Sequence, residues 1–284
     1  MSKASNEGND SKSGNASTAQ GGQTAPGSVP KTQARTLLAR PDSSGPRVTL
    51  GLVWFVVAVA AVFLGRWAVL ALWGTLAALA ALQVGRVWAE QPKGSAMPTW
   101  APAMAAVAAF LCVAAATIGT ALGGIALISL PIVVVMVVTL GGRKPVAASG
   151  AVIGLVLAAV PAMSIVLIAR EGWQPALFVV AAVSFYDAGY FIGAAESSSR
   201  LEGPVTGAIG ALAVTFAASA FETAPFDRVT AWVAGAILVL ACPLGQMLVS
   251  AELPSPTVKA HAMRRLDSYL VAGPLMLGSV WALS

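Results

Sequence analysis

Charged residues are scarce in this 284-residue chain, where they make up 10% of the sequence, against roughly 25% in an ordinary soluble domain. Residues 1–47 hold nine of the 29 charged side chains, which leaves 20 for the remaining 237 positions. A water-soluble globule of this size needs a larger polar surface. The scarcity of charge therefore excludes a soluble fold and indicates a membrane protein that crosses the bilayer several times.

Cysteine and histidine are also rare, with two cysteines and one histidine in the whole chain. Cys112 and Cys242 both lie in apolar runs, and His261 is the lone imidazole. This excludes a disulfide framework and the common zinc sites built from His and Cys. The net charge of +5 does not indicate nucleic-acid binding, because the basic residues lie in short loops between apolar segments.

Residues 1–47 form a polar tail that is rich in Ser, Gly, Asn, Gln, Thr and Pro. Large apolar side chains are almost absent before Leu37. Such a segment cannot bury enough apolar surface to offset the entropy lost on ordering. We expect a disordered cytosolic tail, held near anionic lipid by its basic residues.

The rest of the chain is a series of apolar runs, each close to the roughly 20 residues that a helix needs to cross the hydrocarbon core. These runs predict an all-α, polytopic membrane bundle of about nine helices, divided into N-terminal helices over residues 48–174 and C-terminal helices over residues 175–284. Only the short segment 117–120 separates the third span from the fourth. The predicted spans are 48–65, 67–85, 100–118, 120–140, 145–169, 175–195, 204–221, 229–250 and 267–283.

The distribution of Lys and Arg tests this arrangement and orients it. With nine spans and a cytosolic tail, 14 of the 17 basic residues fall on the cytosolic side. Only Arg66, Arg170 and Arg228 fall on the other side. Membrane proteins carry this excess of positive charge in their cytosolic loops. The sequence therefore predicts a multi-pass protein of the cell membrane with its N-terminus in the cytosol and its C-terminus outside.

Asp187 is the most informative carboxylate, because it lies well inside the sixth predicted span. A charged side chain at the centre of a membrane helix costs about 2.5–3.5 kcal/mol on insertion scales. Asp187 should therefore face the interior of the bundle or a hydrated cavity. It either forms a packing hydrogen bond to a neighbouring helix or belongs to a functional ionic site, and we favour the functional site.

Further acidic and basic residues are predicted on the same, cytosolic face. Asp267 opens the ninth span, where an acid is also ordinary helix-start chemistry, and Arg265 precedes it. Arg200 and Glu202 lie at the start of the seventh span. Carboxylate oxygens suit Mg²⁺ and guanidinium groups suit phosphate. This combination is typical of a site for a divalent metal and a phosphorylated ligand.

At these residues the C-terminal third, about 180–275, resembles the CDP-diacylglycerol synthase (phosphatidate cytidylyltransferase) family of membrane enzymes. The resemblance rests on three blocks that occur in the family's order. The blocks are Asp187-Ala188-Gly189-Tyr190-Phe191-Ile192-Gly193, then Glu202-Gly203 with Gly207 and Gly210, then Arg265-Leu266-Asp267-Ser268 with Ala272-Gly273-Pro274. Residues 1–180 share only their hydropathy with the family.

The resemblance implies an activity and a role for each matching residue. The family joins phosphatidate to the α-phosphate of CTP and releases pyrophosphate, in the presence of Mg²⁺. Asp187 and Asp267 would be catalytic and would bind the metal. The resemblance further implies that substrate is bound by Arg200, Glu202, Arg265 and Ser268.

The chain also departs from the family pattern at three positions that carry charge. Serines 197–199, followed by Arg200, replace the paired lysines of the family's loop. Gly245-Gln246 replaces a Gly-Asp block, and Arg264 replaces the first acid of the final block. Because an arginine in place of a metal ligand inverts the local charge, we do not expect a two-metal site to assemble in the usual way.

These departures leave two other functions open. One is a non-catalytic relative that binds lipid, or that regulates and stabilises a partner membrane enzyme. This function predicts no CTP turnover and association with another membrane protein rather than a homodimer. The other is a small transporter with Asp187 as its proton or cation site. Transporters often contain repeated halves, and no convincing internal repeat is visible here.

Overall fold

A computed structural model describes residues 47–91, 97–195, 201–254 and 260–283. Regular secondary structure within these ranges is entirely helical. The predicted disordered tail lies outside the described residues except for Arg47, which begins the first helix. Arg200 lies outside them as well.

The described residues form nine principal helices, labelled α1 to α9 in chain order. A π-helical turn, Leu70–Gly74, lies within α2, and a 3₁₀ turn, Pro145–Ala148, leads into α5. The helices are α1 Arg47–Leu64, α2 Arg66–Ala89, α3 Ala101–Ile118, α4 Thr120–Leu140, α5 Ser149–Glu171, α6 Trp173–Ala195, α7 Glu202–Phe221, α8 Arg228–Glu252 and α9 Asp267–Leu283.

These helices coincide with the nine apolar runs to within a few residues at each end. The narrow division between the third and fourth runs is confirmed, because α3 ends at Ile118 and α4 begins at Thr120 with only an extended Gly119 between them. Seven of the helices, α2 to α8, are long and apolar enough to cross a membrane. Within α1, the part with described side chains is the apolar segment Gly51–Leu64, and α9 has 17 residues. The all-helical membrane architecture is therefore confirmed, and nine crossings remain a prediction.

The outward-facing surface of α4 fits a hydrocarbon environment. Large apolar side chains on this helix are exposed, among them Ile125, Ile128 and Ile132, each more than 60% exposed. Soluble monomers rarely expose contiguous apolar patches of this kind. Lipid tails are the natural cover for this surface.

The core of the bundle lies around α5, which packs against α2, α3, α4, α6 and α9. Small residues on α5 allow this close packing. A methyl group on Gly154, for example, would lie 2.9 Å from the carbonyl oxygen of Ala81 on α2. A methyl group on Gly273 of α9 would lie 3.0 Å from the Cβ of Ser164 on α5. Close backbone contact through small residues is typical of membrane helices.

The hairpin of α6 and α7 forms the most extensive contact between two helices among the described residues. A side chain at Gly189 or Gly193 of α6 would collide with Thr206 on α7. The Thr206 hydroxyl donates to the carbonyl of Gly189 at 2.8 Å, which adds a hydrogen bond between the helices. Gly203 and Gly207 face the rings of Tyr190 and Tyr186. This hairpin fixes the rotation of α6 and therefore the direction in which Asp187 points.

Candidate functional site

Polar side chains from the C-terminal helices meet in one group inside the bundle, which we call the polar cluster. Asp187 comes from α6 and Gln246 from α8. Asp267 and Ser268 come from the start of α9, and Arg264 comes from the 3₁₀ turn just before it. Asp187 lies eight residues before the end of α6, about 12 Å along the helix axis, and Gln246 lies six residues before the end of α8, about 9 Å. The cluster is thus recessed below these helix ends.

The hydroxyl of Ser268 is the centre of the cluster. It donates to Asp187 Oδ1 at 2.5 Å and accepts from Gln246 Nε2 at 2.9 Å. Gln246 Nε2 also lies 3.5 Å from Asp187 Oδ1. Ser268 is fully buried, so these bonds are shielded from bulk water. They connect three helices through one side chain.

Asp267 is held by a separate set of partners. Its Oδ1 accepts from the backbone N–H of Ser268 at 2.8 Å, and its Oδ2 lies 3.5 Å from Arg264 Nη1. Arg264 also donates to the hydroxyl of Ser250 on α8 at 3.0 Å. Asp267 is only 5% exposed. Its charge is therefore paired with a guanidinium, as a buried carboxylate requires.

Glycine at position 245 allows α8 and α9 to meet at this level. A side chain at Gly245 would collide with the backbone carbonyl of Asp267. The close approach brings Gln246, the next residue along α8, within reach of Ser268. The Gly-Gln pair therefore has a packing role and a hydrogen-bonding role at adjacent positions.

Two buried polar atoms on α6 and α8 have no hydrogen-bond partner among the described residues. They are Oε1 of Gln246 and the hydroxyl of Tyr186. A buried polar atom without a partner costs free energy, and an unobserved water or ion is one common explanation. The amide oxygen is an acceptor, so a cation or a donor group would satisfy it.

The cluster offers oxygen ligands for one divalent cation. Asp187 and Asp267 both reach the hydroxyl of Ser268, the latter at 3.5 Å, so one cation could contact both carboxylates. Mg²⁺ is commonly bound by one or two carboxylates together with waters and substrate phosphates. The partnerless Oε1 of Gln246 adds a neutral oxygen. No group of three or more His, Cys, Asp or Glu side chains that could hold a metal ion occurs in the described ranges.

The structure brings together some of the predicted site residues but not all of them. Asp187, Asp267 and Ser268 meet in the polar cluster. Arg265 is half-buried and lies near enough to Asp187 for its charge to act on that carboxylate. Glu202 is exposed.

The contact between the start of α7 and α6 shows where Glu202 lies relative to the polar cluster. The backbone carbonyl of Glu202 faces Gly193 on α6, which lies six residues beyond Asp187, or about 9 Å along the helix. Glu202 therefore lies nearer the end of α6 than the polar cluster does. Arg200 falls between the described ranges.

Two members of the cluster were not assigned a role from the sequence. Gln246 and Arg264 were interpreted as departures from a family pattern, and both prove to be direct partners of the predicted acids. The signal that could have identified them is their position, because each stands where the pattern has an acid. Position alone cannot show that an amide and a guanidinium make favourable contacts there.

Comparisons of this chain with family models, with curated proteins and with solved structures found no match.

Proposed function

We propose that this chain is an integral membrane protein of the cytidylyltransferase type, which forms CDP-diacylglycerol from CTP and phosphatidate at the polar cluster. The observation that supports this most strongly is convergence. Asp187, Gln246 and the Asp267-Ser268 pair belong to separate sequence blocks, and their side chains meet through one hydroxyl. Asp187 lies 59 positions from Gln246 and 81 positions from Ser268 along the chain, so three separate helices contribute to the cluster.

Each residue of the cluster has a role in this proposal. Asp187 and Asp267 would hold Mg²⁺, which when bound offsets the negative charge of the reacting phosphates. Ser268 holds Asp187 in a fixed orientation. Arg264 and Arg265 supply fixed positive charge next to the two carboxylates, and such preorganised charge favours the binding and reaction of phosphates.

The proposal also includes an orientation in the membrane. We infer nine crossings, with the N-terminus in the cytosol of a cell-membrane protein, from the distribution of basic residues. The ends of α6 and α8 and the start of α9 then face the cytosol, where CTP is found. Glu202 at the start of α7, and Arg200 in the preceding segment, would lie at the entrance that the substrates use.

A second candidate is a relative that binds a lipid phosphate without catalysis, or that stabilises a partner membrane enzyme. The pairing of Asp267 favours it, because a backbone N–H and Arg264 already occupy its two oxygens. The carboxylate is therefore satisfied without a metal. This candidate predicts lipid binding and no turnover of CTP.

A transfer assay with purified protein tests the catalytic proposal. Radiolabelled CTP, phosphatidate in detergent micelles and Mg²⁺ are incubated with the wild type, with Asp187→Asn and with Asp267→Asn, and lipid-soluble label is counted. We expect incorporation by the wild type and a loss of at least about 100-fold in each variant, because general and electrostatic catalytic groups typically contribute 10²-fold or more.

Asp227→Asn is the matched control. It makes the same chemical change at an exposed acid that caps α8 outside the membrane segment, and asparagine retains the cap. We expect it to keep wild-type turnover. If the wild type incorporates no label but binds phosphatidate in an Asp187-dependent way, the non-catalytic candidate replaces the enzyme. If neither binding nor turnover is found, the catalytic proposal and the lipid-binding form of the second candidate are both wrong.

A further inference from the structure

A glutamine on α2, outside the polar cluster, holds the chain just before α9. Gln83 is the only amide side chain in α2, and it is half-buried. Its Oε1 accepts a hydrogen bond from the backbone N–H of Ala262 at 2.9 Å, although the two residues are 179 positions apart. An N-terminal helix therefore reaches the segment that carries Arg264, Asp267 and Ser268.

Ala262 begins a run of overlapping turns that leads into α9. The N–H of Arg265 donates to the carbonyl of Ala262 at 3.1 Å. The N–H of Leu266 donates to the carbonyl of Met263 at 2.9 Å, and the N–H of Tyr269 donates to the carbonyl of Leu266 at 3.1 Å. Because these turns overlap, a displacement of the backbone at Ala262 is passed on toward the start of α9.

A second contact holds the other end of this segment against the same helix. Trp73 lies in the π-helical turn of α2 and is fully buried. Its ring centre is 4.8 Å from that of Tyr269, with the rings edge to face. Such aromatic pairs are attractive, and π-helical turns occur frequently at functional sites. Tyr269 directly follows Ser268, so α2 holds the segment 262–269 at both ends.

The contacts of the polar cluster depend on where this segment lies. Arg264 donates to Ser250 on α8. Ser268 bonds to Asp187 on α6 and to Gln246 on α8. These partners belong to other helices, so the bonds form only when the backbone of the segment is correctly placed. A displacement of about 1 Å can cost a catalytic site about 10²-fold in rate, and supporting residues prevent such displacements.

We propose that Gln83 is a positioning residue for the polar cluster. Through its bond to Ala262 it fixes the backbone that presents Arg264, Asp267 and Ser268 to α6 and α8. The effect of Gln83 on turnover rests on the function proposed above, whereas its effect on the segment 262–269 does not. The two effects are therefore measured separately.

Amide hydrogen exchange of the full chain in bicelles, measured by mass spectrometry, tests the structural effect. Gln83→Met keeps the length of the side chain but removes the amide oxygen, whereas Gln83→Glu keeps an acceptor oxygen. In Gln83→Met we expect exchange in the segment 262–269 to be about 2- to 12-fold faster, the factor that corresponds to one neutral hydrogen bond. Exchange in α3 and α4 should be unchanged, and Gln83→Glu should behave like the wild type.

Gln174→Met is the matched control, because it makes the same change on α6 about 20 Å along the helix from Asp187. It should leave exchange in the segment 262–269 unchanged. Unchanged exchange in this segment in Gln83→Met would overturn the proposal. So would faster exchange throughout the chain, because Gln83 would then support the fold in general, and so would a Gln83→Glu variant that exchanges like Gln83→Met.

The transfer assay tests the effect on turnover. In Gln83→Met the Mg²⁺ concentration that gives half of the maximal rate should rise several-fold, because a displaced Asp267 is a poorer ligand, and in Gln83→Glu it should return to the wild-type value. A smaller folded fraction lowers the rate but leaves this concentration unchanged. An unchanged concentration in an active protein would overturn the proposal. A wild type without turnover would refute the proposed function instead, and hydrogen exchange alone would then decide the role of Gln83.

Discussion

Removing the hydroxyl of Ser268 is the most direct perturbation of the polar cluster. Ser268→Ala deletes the donor to Asp187 and the acceptor for Gln246, whose distances are 2.5 and 2.9 Å. A hydrogen bond to a charged group contributes about 1.5–3 kcal/mol, whereas neutral bonds between membrane helices average about 0.6 kcal/mol. Because the acceptor here is a carboxylate in a buried network, we expect a loss of about 2 kcal/mol in the free energy of unfolding.

A double-mutant cycle with Asp187→Ala isolates the interaction, because alanine removes the acceptor oxygen. Unfolding is measured in bicelles for the wild type, both single variants and the double variant. Ser279→Ala is the control, because Ser279 lies on the same helix, is half-buried and donates to the carbonyl of Leu275 within α9, away from the polar cluster. A coupling energy near zero for Ser268 and Asp187 would refute the bridged geometry, and a control as damaging as Ser268→Ala would show that the loss is not specific.

Two further predictions concern packing and capping outside the cluster. Gly189→Ala should reduce the free energy of unfolding by about 1–3 kcal/mol, because the added methyl group collides with the backbone of Thr206. Gly124→Ala is the control for this variant. It adds a methyl group in open space and should be neutral or slightly stabilising in the same assay. The backbone N–H and the hydroxyl of Thr230 hold the pKa of Asp227 below its usual range. This interaction stabilises the fold above the pKa of an unfolded aspartate, about 3.9, and the stabilisation is lost as pH falls through the lower folded pKa. The difference in Tm between wild type and Asp227→Asn, measured from about pH 6 downward, should therefore shrink as pH falls; a difference independent of pH would contradict the assignment.

The helices could be predicted closely because one physical constraint determines them. A segment that crosses hydrocarbon must satisfy its backbone hydrogen bonds internally and must be apolar over the full thickness. The ends of α4 and α9 are the predicted ones, 120–140 and 267–283. The π-helical turn Leu70–Gly74 was not predicted, because no Pro or charge in the sequence marks it.

The candidate site could be predicted only in part. The cost of a membrane-embedded charge singled out Asp187, the predicted cytosolic face added Asp267, and the resemblance added Ser268. The sequence could not show that Gln246 and Arg264 complete the hydrogen bonds of these residues, because that depends on the rotation and depth of three helices. Those variables are set by close approaches such as that of Gly245 to α9.

The replacement of an acid by Gln246 has a consequence for the charge balance of the cluster. A third carboxylate beside Asp187 and Asp267 would add repulsion inside the bundle, and a bound cation would be needed to offset it. Gln246 instead donates a hydrogen bond to Asp187, and Arg264 pairs with Asp267. The two carboxylates and the two neighbouring arginines are thus balanced without a metal. We therefore expect the fold of this cluster not to depend on Mg²⁺.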